Sequence, residues 1–119
     1  MGDDNINRLV GIIADRFAAI APPLIRPHAE NGWLYFGGTV FPFAENYYEA
    51  GGGDEAVLAV SVKALNEFQD EVSELTHEPW PGEHSQPKAA GAIEDRILYL
   101  WYGSREAPVL ECMPVDFSC

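Results

Sequence analysis

The chain is poor in basic residues, poor in cysteine and free of long apolar runs, and each shortage removes a class of function. Lys and Arg number 7 against 19 Asp and Glu, a formal net charge of −12 over 119 residues. Nucleic acid and anionic membranes are bound through Lys and Arg, so a surplus of this sign opposes both and favours a basic protein partner. No apolar run approaches the roughly 18 residues that a transmembrane helix needs. The opening Met1-Gly2-Asp3-Asp4 has neither the basic nor the apolar region of a signal peptide, which makes the cytoplasm the expected location. Cys112 and Cys119 are the only cysteines, and they form neither a disulfide framework nor a zinc spacing. Cys112 lies in the apolar run Val109 to Met113 and reads as a small buried hydrophobe. A bridge to Cys119 would have to fold the last residues back on themselves.

What is present suits a packed core. Apolar residues make up 47% and aromatics 12%, too much for a disordered chain, and the length fits one domain over residues 1–119. From Asn5 to Ala21, the residues Ile6, Leu9, Val10, Ile13, Phe17 and Ile20 recur at helical spacing, with Asp4 or Asn5 as a cap and Pro22-Pro23 as the stop. Leu24 to Glu30 is a connector and Asn31-Gly32 a tight turn. Residues 33–36 and 39–43 read as strands around Gly37-Gly38, either as a hairpin or as one strand bent by a bulge. Pro42 places the second at a sheet edge or at its end. Residues 44–55 read as a loop with a flexible Gly51-Gly52-Gly53. Residues 56–65 read as a strand with Leu58, Val60, Val62 and Ala64 on one face. A second helix is expected to open at Asn66, with Gln69 completing a capping box and Leu65 as staple, and to stop by Pro79. Residues 78–91 form a proline-containing loop. Residues 96–102 and 109–115 form a hairpin across a turn at 103–108. This order gives an α+β fold, an antiparallel sheet of four to five strands with two helices packed on one face.

Few constellations carry chemistry. His77, Glu78, Glu83 and His84 flank a Pro-Trp-Pro turn, but their spacing matches no metal motif, so no metal and no cofactor are expected. In the structural reading, Trp80 packs on the core and His77 sits at the helix end. His28 has no nucleophile placed beside it, and Ser61, Ser85, Ser104 and Cys112 lack any catalytic pattern, so catalysis is not expected. Gly51 to Asp54 lacks the Lys of a phosphate loop. Trp33 and Tyr35 share one strand face and Tyr99 and Trp101 another, as core or as a stacking platform.

The strongest signal is acidic. Glu67, Asp70, Glu71 and Glu74 share the outer face of the expected helix, and Tyr47 and Tyr48 lie among carboxylates as aromatic anchors. They suggest a non-catalytic domain that docks on a basic protein, in the manner of an immunity protein or antitoxin, as a monomer or weak homodimer. The alternative is a regulatory domain that binds a small ligand in an aromatic pocket.

Overall fold

The computed structural model describes residues 2–81 and 87–117, with side chains from Asn5 onward. Helix α1 (Gly2–Ile20) turns the stripe of Ile6, Leu9, Val10, Ile13 and Phe17 into the core, and Ile20 packs at its margin. The helix begins at Gly2, so Asp4 and Asn5 lie inside it rather than at its cap position. It ends one residue before Ala21, ahead of the two prolines.

Three short strands follow: β1 (His28–Glu30), β2 (Trp33–Phe36) and β3 (Thr39–Phe41). They form an antiparallel sheet in sequence order, with Glu30 opposite Trp33 and Phe36 opposite Thr39. Both connections are therefore two-residue hairpin loops. Gly37-Gly38 makes the hairpin rather than the bulge, with Gly37 at φ 60. Strand β1 comes from the segment expected to be a connector. Pro42 ends β3 and precedes the short helix α2 (Phe43–Glu49), where a loop was expected.

The largest departure is α3 (Gly53–Thr76), a single helix of 24 residues that absorbs both the expected strand at 56–65 and the expected helix from Asn66. The physical reason is burial on two sides. Phe68 meets Phe17 of α1 and Phe36 of β2 on one side, and Trp80 on the other. Ala56, Val57, Val60, Ser61, Ala64, Leu65, Phe68, Gln69 and Val72 are all buried. A helix covered over so much of its circumference carries apolar residues in nearly every position, and its periodicity then resembles a strand. Asn66 and Gln69 lie mid-helix and form no capping box. Gly51, Gly52 and Gly53 have φ of 99, 71 and 84, and Gly51 and Gly52 donate to the carbonyls of Tyr48 and Tyr47. The glycines thus close α2 and open α3 in a set geometry that side chains would strain, and they are not a flexible linker.

The second sheet holds β4 (Ala89–Glu94), β5 (Ile97–Gly103), β6 (Pro108–Glu111) and β7 (Val115–Asp116). Strand β5 is its centre, and β4, β6 and β7 all pair with it antiparallel. Strand β4 begins inside the expected 78–91 loop, and the expected strand at 109–115 is divided between β6 and β7. A ring chain of Phe17, Phe68, Trp80 and Tyr102 joins the two halves, with centroids 4.9 to 5.4 Å apart. The fold is α+β with antiparallel pairing throughout, but it has three helices and two sheets instead of two helices on one sheet. Among the described residues, no helix is long and apolar enough to cross a membrane.

Candidate functional site

The four carboxylates expected to form the docking face lie within one arc of α3, but they are not equivalent. Asp70 and Glu74 are exposed and Glu67 is half-buried. Glu71 is taken up by the fold. One carboxylate oxygen accepts the N–H of Gly38 at 2.7 Å and the other accepts the Thr39 hydroxyl at 2.7 Å. It fastens the β2–β3 hairpin to α3.

The tyrosine anchors stand elsewhere. Tyr47 and Tyr48 belong to α2, and the Tyr47 hydroxyl accepts the N–H of Gly53 at the start of α3. At about 1.5 Å rise per residue, Glu67 lies roughly 20 Å further along the helix. The expected patch is thus two separate surfaces, one acidic and one aromatic.

The aromatic surface lines a cleft of about 480 Å³ between α1, α2, the N-terminal end of α3 and the end of the second sheet. Ile6, Leu9, Ile12 and Val57 make it apolar, and Tyr47, Tyr48 and Phe117 add rings. The rings of Tyr47 and Tyr48 meet edge to face, 5.2 Å apart. Arg8 and Arg96 contribute positive charge and Asp54 and Asp116 negative charge. The cleft holds two of the 7 basic residues but only two of the 19 acidic ones, so it is locally neutral on a strongly acidic molecule. The N-terminus of α3 adds its partial positive charge at the same place.

Arg96 is the least expected of these residues. Glu94 pairs with Ile97, so Asp95-Arg96 is the two-residue loop of the β4–β5 hairpin. Both have positive φ, 54 and 61, as a type I′ turn requires. Asn-Gly suits that turn, and Asn31-Gly32 supplies it in the β1–β2 hairpin. An arginine in the left-handed region costs about 1 kcal/mol or more. Its guanidinium lies over the Phe117 ring, 5.0 Å from the centroid, and 3.8 Å from the Asp54 carboxylate. The available signal was a Asp-Arg pair between two apolar stretches. Arg8, Asp116 and Phe117 carried no signal, because only the packing of α1 against the β5–β7 end brings them near.

The other candidates divide between core and surface. Trp33 and Tyr35 do not enter the core. Their face of the first sheet is outward, with Trp33 exposed and Tyr35 stacked on His28 at 4.9 Å. Leu34 and Phe36 point inward instead. Trp101 and Tyr102 are buried. The Tyr102 hydroxyl donates to the Leu65 carbonyl at 2.7 Å, and burial pushes its pKa far up. Arg105 lies over Tyr99 and Trp101 and pairs with Glu94 at 2.9 Å. Trp80 packs on Phe68 and Tyr102, while His77 caps the end of α3 in the left-handed conformation. Cys112 is buried, and burial pushes its thiol up to about 12. It is protonated at neutral pH and unsuited to nucleophilic attack. Glu83, His84, Ser85 and Cys119 lie outside the described residues.

No family model matches this chain, and no curated protein or solved structure matches it.

Proposed function

We propose that this protein is a non-catalytic binding domain whose binding centre is the cleft between α1, α2 and the β5–β7 end. The observation that carries this reading is the cleft's composition. An apolar floor, three aromatic rings and a few opposed charges in about 480 Å³ are what a small organic ligand needs for burial and orientation. A fragment screen by protein-observed NMR and thermal shift tests it. Binders should raise the melting temperature and perturb Ile12, Tyr48 and Val57, and Tyr48→Ala should weaken them. Binders that perturb only other surfaces would sink the reading.

A second reading rests on the exposed stripe of α3. Asp70 and Glu74 are exposed, Glu67 is half-buried beside them, and among the described residues none of the three is in an ion pair. The stripe would dock a basic protein, as an immunity protein or antitoxin does, and steer it at low salt. Replacing all three with Lys should then abolish capture of that partner. Unchanged capture would leave the stripe as a solubilising surface.

A further inference from the structure

We infer that the ligand of this cleft is an amphipathic organic monocarboxylate, its carboxylate received by Arg96 and its apolar body laid against Ile6, Leu9 and Val57. The inference rests on the cleft being the binding centre proposed above. Arg96 occupies a backbone position that favours glycine, with φ 61, and lines the cleft. Residues held against local preference cluster where a side chain is needed for function.

The guanidinium is positioned but largely unclaimed. Phe117 holds it from two directions, with its ring 5.0 Å from the guanidinium carbon and its carbonyl accepting from Nη2 at 3.4 Å. Asp54 stands 3.8 Å away, beyond hydrogen-bond reach. Most of the five N–H donors therefore remain for an incoming acceptor, and a planar fork of donors matches a carboxylate. A cationic head would compete with Arg96 for the same ring and the same Asp54.

Charge and surface narrow the class. The molecule's net charge of −12 works against ligands of several negative charges, so a single carboxylate is favoured over a phosphate. The apolar floor requires a hydrocarbon or aromatic body rather than a small hydrophilic acid. Asp54 faces the same guanidinium and competes with the ligand for it.

Isothermal titration of the full chain tests the assignment with decanoate, 4-phenylbutyrate, their two neutral amides and decylamine. The acids should bind at least about tenfold more tightly than the amides, the scale of one charge-assisted hydrogen-bonded contact. Arg96→Gly suits the turn and should leave the fold intact. It should weaken the acids far more than the amides and so remove the acids' tenfold advantage. Asp54→Asn should tighten the acids severalfold. Equal binding of acid and amide, or tighter binding of decylamine, overturns the carboxylate assignment and leaves the cleft as a binding centre. Binding of none of the five also overturns it, and the fragment screen then decides the cleft separately.

Discussion

Glu71 has two carboxylate oxygens and the hairpin uses both. Gly38 and Thr39 each donate to it at 2.7 Å, so the side chain ties β2–β3 to α3 across more than thirty residues of chain. Gly37 belongs to the same contact, because a Cβ there would meet the Glu71 carboxylate and Leu75. A residue counted as one of four equivalent surface charges is therefore a structural acceptor. Glu71→Ala should lower stability by about 1 kcal/mol, since hydrogen bonds to a charged group are strong but these are partly exposed. That corresponds to a fall of roughly 4 °C in melting temperature for a domain of this size. Asp70→Ala and Glu74→Ala, which remove exposed carboxylates, should stay within about 0.5 kcal/mol of the parent. Thermal unfolding of the three variants separates the roles, and equal melting temperatures would return Glu71 to the surface stripe. Sequence spacing places the four carboxylates on one face correctly. It carries no information on which of them a distant hairpin will occupy.

At the scale of elements, the turns at Asn31-Gly32 and Gly37-Gly38 and helix α1 are legible, whereas the Asp95-Arg96 turn and α3 are not. Asn31-Gly32 and Gly37-Gly38 carry their own backbone preferences, so local chemistry announced them. Helix α1 is buried on one side only, and its stripe shows the helical period cleanly. Helix α3 is buried on both sides, and from Ala56 to Leu65 its apolar residues outnumber the polar ones that would mark a period. The cleft follows the same logic in reverse. Tyr47 and Tyr48 drew attention as aromatics, but their cleft exists only because α2 is a helix that presents them beside the start of α3. Ala59 distinguishes the two readings of 56–65 directly, because it is exposed and touches the question of backbone alone. Ala59→Val should cost about 0.5 kcal/mol in a helix, where a β-branched side chain loses rotamer freedom. In a strand the same change would be neutral or stabilising. Chemical denaturation of this variant reads the sign, and a gain in stability would contradict α3.

For the whole molecule, the charge imbalance outweighs its local compensation. Arg96 pairs with Asp54 at 3.8 Å and Arg105 with Glu94 at 2.9 Å, all on side chains about half exposed. Pairs of that kind contribute about 0–1 kcal/mol each. Against them stands a net −12 gathered into a compact fold, which repels itself more than the expanded unfolded chain does. The core that holds it together is apolar and aromatic, running from Phe17 through Phe68 and Trp80 to Tyr102, and salt does not weaken contacts of that type. Composition alone therefore fixes the sign of a whole-molecule response that no single residue determines. Raising NaCl from about 10 mM to 150 mM shortens the screening length from about 30 Å to 8 Å, which removes repulsion between distant carboxylates while near pairs keep most of their attraction. The melting temperature should rise over that range, and the rise should shrink when Glu67, Asp70 and Glu74 are replaced with Gln. A melting temperature that falls with salt would mean that attraction between unlike charges, not repulsion, dominates the folded state.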